Sequence, residues 1–511
     1  MFLRLLLTLL LIATIVRLFP PVSADVESAA ADIQLQVGNQ FFDDGRYLEA
    51  LDAFERAVKI EYPAGVIRAH MGLSRTDLRL AEFGRAKVEA ETVLKAHPRD
   101  GEAMALYGDA LWATGRFEEA EEEFKKALAI EPELSRGRFG LARSMAARNA
   151  LQGGLDEAQA ALRTAPRDAE IHHLIGTIYE RMHRFEEAAN AFSNYVNLLP
   201  NKDRSEKAAW SRAEIRFLRS FGDRRPFEIA DDHAHMLHTV PFKLVRDKVV
   251  VRASVNGRSE MDFVLDTGSE QTTISARTAD KFGVTPIVYT LSAGVGDVGL
   301  RGLQLGRLDS FRIGTLNIGN VPCLIKNPEL KNLPVRETES FSPLALGLSM
   351  TIDYGRRFLT IGRSVPQEAA DFELPLRLHR LAMVRGEIDG ELAANFVVDT
   401  GGEVISISTE TATALARDSM QRRIPIRVFG TSGWDRDAFL MPGVNLAFQS
   451  ILFKNFPVVV LNLRAPSVLL GFQVGGIVGH RFLSKYRVGI DLERSMLRLK
   501  AFTPPPVRVS H

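Results

Sequence analysis

The chain has 511 residues, 46% of them hydrophobic and 25% charged, with a formal net charge of +1. This is a globular composition with room for about two to four domains, and its balanced charge, with no long basic run, gives nucleic acid no footing. Cys323 is the only cysteine, which excludes an internal disulfide framework and any multi-cysteine metal site.

The N-terminus reads as a leader. Residues 1–4 carry one positive charge, and residues 5–16 form a twelve-residue apolar run. A bilayer span takes about 20 residues, so this run is too short to be a comfortable one. Pro20 and Pro21 end it, and Val22-Ser23-Ala24 has the small residues of a cleavage site. The expectation is a signal peptide over 1–24, export to a bacterial periplasm, and no membrane span after cleavage. The alternative is an uncleaved anchor. No later segment is long and apolar enough to span.

Pro98, Pro132, Pro166 and Pro200 stand 34 residues apart. A fixed period of that length marks a solenoid of helical hairpins. Gly38, Ala50, Phe54 and Ala57 share their spacing with Gly108, Ala120, Phe124 and Ala127, and again with Gly176, Ala188 and Phe192. The stretches "GRYLEA", "GRFEEA" and "HRFEEA" mark the turn into the second helix. Residues 34–220 thus resemble about five tetratricopeptide repeats. One unit departs: "LQGGLDEA" puts Ala158 eight residues before Pro166, where Ala120 stands twelve before Pro132. This predicts a turn displaced by four residues, with a shorter second helix. Stacked repeats leave a concave surface suited to a protein substrate or partner; the plainer alternative is a spacer.

Residues 221–241 lose the helical period and read as a linker. Its His233 and His235 would share a face of an extended chain, so a metal site is conceivable there, but nothing distant completes it and a solvated linker is the favoured reading. From residue 242 the pattern turns to short alternating β runs bounded by Gly, Asn and Pro, and the layout occurs twice. "FVLDTGSEQTTIS" at 263–275 and "FVVDTGGEVISIS" at 396–408 lie 133 residues apart and share eight of thirteen positions. Leu346-Gly347 maps onto Val478-Gly479 at an interval of 132. The expectation is two duplicated lobes, 242–365 and 370–503.

A lone Asp-Thr-Gly means little. Two copies, each ending an apolar run in equivalent lobes, bring two carboxylates face to face. Like charges about 3 Å apart cannot both ionise, so such a pair shares a proton. One partner can then take a proton from water while the other donates to a carbonyl oxygen. Gly268 and Gly401 are expected to permit the turn geometry. This set resembles the aspartic peptidases, and the short lobes look like the retropepsin type. The fold class expected is therefore multidomain: an all-α tetratricopeptide-repeat solenoid followed by an all-β bilobal aspartic-peptidase fold.

The resemblance implies that Asp266 and Asp399 are catalytic and that the hydroxyls of Thr267 and Thr400 interlock across the lobes. It implies that Gly268 and Gly401 bring backbone N–H groups onto the carboxylates. Ser269 would bond the outer oxygen of Asp266, which Gly402 cannot do for Asp399. Leu346-Gly347 and Val478-Gly479 would brace the two active loops, and the runs at 292–306 and 428–440 would form flaps. Trp434 either lines the cleft or packs within its own loop. Cys323, in "NVPCLI", reads as a core residue. No metal or organic cofactor is implied. The function expected is an exported aspartic endopeptidase acting on protein or peptide substrates. The alternatives are a non-catalytic periplasmic binding or assembly factor, and a dyad formed between chains.

Overall fold

The computed structural model describes residues 24–60, 63–327, 329–330, 338–415 and 423–502. The expected leader lies outside them except for Ala24. Among the described residues no helix is long and apolar enough to cross a membrane. The chain divides into two compact units, one up to Ala110 and one from Leu111 onward.

The first unit holds helices α1 (Ala24–Asp43), α2 (Tyr47–Lys59), α3 (Pro63–Leu80), α4 (Phe83–Ala96) and most of α5 (Gly101–Ala113). The second begins with the end of α5 and continues with α6 (Phe117–Ile130), α7 (Ser135–Ala147), α8 (Leu151–Thr164), α9 (Ala169–Arg181), α10 (Phe185–Leu198) and α11 (Glu206–Arg219). The helices follow one another as hairpins, and each turn inside a hairpin carries one left-handed residue: Gly45, Ala81, Gly115, Asn149 and His183. That conformation ends a helix and frees the chain to reverse.

The fourth hairpin corrects the expected displaced turn. Its helices have 13 and 14 residues, as in the hairpins on either side, and Asn149 turns the chain where Gly115 and His183 do. Ala158 occupies the place of Phe124 and Phe192, not that of Ala120. Those rings sit where glycine leaves room: a Cβ on Gly140 would lie 2.3 Å from Phe124, and one on Gly176 2.6 Å from Phe192. In the fourth hairpin Ala142 takes the glycine place and Ala158 the ring's, and both are fully buried in one cluster.

Asp77 on α3 is fully buried, with Arg85 Nε 3.4 Å from its carboxylate. Burial pushes its carboxyl up to about 7, only partly offset by Arg85. The folded state therefore keeps a proton that the unfolded chain, titrating near the ordinary 3.8, releases. Stability is complete below that value and falls as pH rises towards the folded value. Asp77→Asn is expected to stabilise the first unit by about 2 kcal/mol at pH 8, with the gain vanishing in acid. Unfolding curves at the two pH values check this; an equal effect at both would refute it.

Residues 221–241 are more engaged than a linker. Glu228 bridges Gly319, and His238–Pro241 is a strand paired with residues 358–361. His238 is buried, with Nδ1 2.9 Å from Thr315 Oγ1, and its ring stacks on that of His233. Among the described residues no group of three or more His, Cys, Asp or Glu is placed to hold a metal.

The two β lobes share one strand order. In the first it runs Lys243–Val245, Lys248–Val255, Met261–Leu265, Ser340–Phe341, Thr272–Ser275, Leu316–Lys326, Leu300–Ile313, Pro286–Ala293. In the second it runs Phe372–His379, Leu381–Ile388, Leu392–Val398, Gly476–Val478, Ser406–Ser408, Ile451–Leu461, Phe439–Phe448, Ile424–Pro425. Each closes by a further pairing, Lys248–Val255 with Leu300–Ile313 and Leu381–Ile388 with Phe439–Phe448. Six hydrogen-bonded strands combine segments that precede, end and follow the two lobes: His238–Pro241, Phe358–Gly362, Ser349–Asp353, Tyr486–Asp491, Met496–Ala501 and Phe372–His379. Alternation along these strands buries one face in a core that includes Phe263, Leu265, Phe396 and Val398 from the strands that lead to the two aspartates. Cys323 is fully buried in this core, and burial pushes its thiol up to about 12.

The repeat helices of the second unit pack on the lobes. Gln473 N donates to Ala113 O at 2.8 Å, and Asn149 Nδ2 to Leu492 O at 3.1 Å. Arg377 and Arg385 of the second lobe pair with Glu118 and Glu119 of α6. Val288 and Leu305, from strands of the first lobe, join the apolar cluster of α10 and α11.

Candidate active site

Asp266 and Asp399 each stand just past a buried strand. Their backbone N–H groups donate to Phe341 O at 2.9 Å and Val478 O at 3.0 Å, so a parallel neighbouring strand fixes where each turn begins. This corrects one expectation. Val478-Gly479 does brace the second loop, but its counterpart in the first lobe is Phe341-Ser342. Leu346 ends a 3-10 turn, and Gly347 caps it at φ 69°. The apolar–apolar–Gly pattern misleads there because the first lobe has serine where the second has Gly479.

The threonine interlock is complete. Thr267 Oγ1 donates to Val398 O at 2.6 Å and accepts from Thr400 N at 3.0 Å. Thr400 Oγ1 donates to Leu265 O at 2.8 Å and accepts from Thr267 N at 3.1 Å. Both side chains are buried. Above this grip the carboxylates face one another. Gly268 N donates to Asp266 Oδ1 at 3.1 Å and Gly401 N to Asp399 Oδ1 at 2.8 Å.

The two glycines are needed for a reason other than turn geometry, since neither has a positive φ. A Cβ on Gly268 would lie 2.6 Å from Asp399 Cγ, and one on Gly401 2.6 Å from Asp266 Oδ1. Each glycine makes room for the opposite carboxylate. Gly402 does the same for its own lobe, since a Cβ there would lie 2.7 Å from Asp399 Oδ2. Ser269 differs from expectation: its hydroxyl donates to Gln271 O at 2.8 Å and does not serve Asp266.

Both carboxyls are held above their ordinary range. For Asp266 the cause is burial, then the charge of Asp399, opposed by Lys248, Lys326 and the Gly268 N–H. For Asp399 it is burial, opposed by the N–H groups of Gly402 and Gly401, by Lys248, and by a hydrogen bond from Asp266. Two carboxyls that face one another in a half-buried site, each disfavouring the other's charge, share one proton.

The two segments expected to form flaps meet. Ser432 N donates to Val295 O at 2.9 Å, Val298 N to Ser432 O at 3.0 Å, and Asp297 N to Trp434 O at 3.0 Å. Gly296 and Gly430 allow this, because a Cβ on either would lie 2.3 Å from the opposite backbone. Trp434 packs edge-on against Phe429 of its own hairpin, 5.6 Å between ring centroids. The strand Pro286–Ala293, which leads into the first flap, faces α11. Between them lies a cavity of about 600 Å³ lined by Trp210, Ala213 and Arg216 on one side and Ile287 and Tyr289 on the other.

Sequence reasoning missed Lys248, whose Nζ donates to Gly401 O at 2.6 Å across the lobes. A signal existed: 133 residues on, the second lobe has Leu381, so the duplicated strands differ at their first residue.

Comparison with known proteins agrees with this architecture. Residues 251–350 and 384–479 match the aspartyl protease family model, one segment in each lobe. Residues 71–135 and 111–178 match tetratricopeptide-repeat models. Among solved structures, TTC0263, a thermophilic TPR protein of Thermus thermophilus, is 22% identical, with 36% of this chain and 99% of that one covered and a TM-score of 0.32. PilF of Pseudomonas aeruginosa is 17% identical, covering 38% and 93%, with a TM-score of 0.28. MamA from Desulfovibrio magneticus is 20% identical, covering 33% and 94%, with a TM-score of 0.25. The chain is a tetratricopeptide-repeat region fused to a two-lobed peptidase fold of the retropepsin-like kind.

Proposed function

We propose that this protein is an exported aspartic endopeptidase whose repeat region recruits protein substrates or partners. The single observation that carries the activity is the pair of half-buried carboxyls, each seated against the other lobe's glycine and held by loops locked through reciprocal threonine bonds. The ionised carboxyl takes a proton from water, which attacks the peptide carbonyl carbon. The protonated carboxyl gives its proton to the carbonyl oxygen, and a gem-diol forms with no covalent link to the enzyme. Transfer of a proton to the amide nitrogen then lets the C–N bond break and restores the dyad. The low dielectric around the pair strengthens each of these hydrogen bonds. Export rests on the leader pattern of residues 1–24. Recruitment rests on the repeat helices being packed on both the second lobe and the flap strand.

The test is incubation of the chain from residue 25 onward with a diverse peptide library, from acidic to neutral pH. Endoproteolytic cleavage at internal peptide bonds is expected. Absence of cleavage at every pH, with peptides bound nonetheless, would replace this reading by the binding one.

A further inference from the structure

The two halves of the dyad are built alike but are not supported alike. Lys248 opens a first-lobe strand, and its ammonium reaches across to Gly401 O in the second lobe at 2.6 Å. That carbonyl belongs to the same peptide unit as the Gly402 N–H, whose dipole favours the charged form of Asp399. A cation on a peptide oxygen polarises the unit and makes its N–H a stronger donor. Gly401 N donates to Asp399 Oδ1 at 2.8 Å. The next two carbonyls of the loop are pinned as well: Gly402 O accepts from His480 N at 2.8 Å, and Glu403 O from Arg481 N at 2.9 Å.

The first lobe is furnished differently. The second lobe has Leu381 in the place of Lys248, so no lysine from there can reach the first loop in the same way. Pro343, two residues past Phe341, stands where His480 stands two past Val478, and proline has no N–H to give. Ser269 spends its hydroxyl on Gln271 O.

We infer that Lys248 is a positioning residue that decides which carboxyl does what: by holding the Gly401–Gly402 peptide it makes Asp399 the carboxylate that takes the proton from water and leaves Asp266 to carry the shared proton. The inference assigns roles within the dyad and rests on the peptidase reading above. Other charged groups share this region. Asp247 adjoins Lys248 in the chain; Asp247, Glu403, Arg357 and Lys248 surround His480, which burial keeps below its ordinary range and hence neutral at neutral pH. Lys326 adds a second positive charge on the Asp266 side. Lys248 is the cation that acts on both aspartates and also touches the loop of one of them.

The test uses Lys248→Met, Lys248→Gln, which keeps a donor without the charge, and Lys248→Arg, which keeps the charge. Two readouts are taken: the pH profile of kcat/KM, and the titration of the dyad carboxyls followed by 13C NMR of aspartate-labelled protein, assigned through Asp266→Asn and Asp399→Asn. In the otherwise native chain the carboxyl of Asp399, alone in Asp266→Asn, is expected to titrate below that of Asp266, alone in Asp399→Asn. Removing the charge at position 248 should close that gap and move both limbs of the profile to higher pH by about one unit; Lys248→Arg should bring the limbs back. Limbs and carboxyl titrations that stay put in Lys248→Gln, whatever happens to turnover, would make Lys248 a structural pin and overturn the inference, and so would Asp399 titrating above Asp266. The NMR titration needs no turnover, so a wild type that cleaves nothing would defeat the peptidase reading while leaving this measurement to decide on Lys248.

Discussion

Asp399→Asn is expected to cut peptide cleavage by roughly three orders of magnitude or more while leaving the fold intact. The amide cannot take a proton from water, so the chemical step loses its base. The same change removes an ionisable group whose charged form its half-buried site disfavours. The unfolding temperature should therefore hold or rise. The turn survives because the Asn oxygen can still accept from Gly401 N, as Asp399 Oδ1 does at 2.8 Å. Measurement of kcat/KM across the pH range, beside a thermal unfolding curve, checks both halves. A variant that keeps more than about a hundredth of wild-type activity would show that the water is activated elsewhere.

Thr400→Val should do the reverse, with stability falling first. Valine has nearly the shape of threonine but no hydroxyl, so it strands Thr267 N–H and Leu265 O, both inside the grip. Leaving two buried polar groups unpaired costs about 2–4 kcal/mol, and the loosened carboxyls should lower turnover at least tenfold. Thr267→Val strands Thr400 N–H and Val398 O in the same way. The two substitutions remove different bonds of one grip, and the first already lets that grip loosen, so the double variant should cost less than the sum of the singles, by about 1 kcal/mol. Denaturant midpoints of the four proteins measure this. Strict additivity would mean that the bonds act independently.

The parts that were legible in the sequence are those written as repetition. A 34-residue period specified helical hairpins, and a 133-residue duplication picked out Asp266, Asp399 and the threonines between the lobes. What escaped depended on a neighbour's size or direction. The fourth hairpin breaks the alanine pattern because Ala158 stands in for Phe124, which only packing reveals. Leu346-Gly347 satisfied a motif, but hydrogen bonding from Asp266 N selects Phe341. The Ser269 hydroxyl was expected to face its aspartate, and a closer carbonyl in its own turn took it. Lys248 was hidden because a single lysine at the start of an apolar strand looks like solvent-facing decoration. Its importance depends on a partner 153 residues away.

The pairing of strands from the two lobes makes the site insensitive to dilution. Where two separate polypeptides must meet to complete a catalytic pair, the active fraction falls with protein concentration. Here residues 350–352 pair directly with residues 488–490, and both belong to one chain. The two aspartates are thus held at an effective concentration set by the fold and not by the solution, and the site keeps its form in a compartment where copies of the protein are too sparse to find one another.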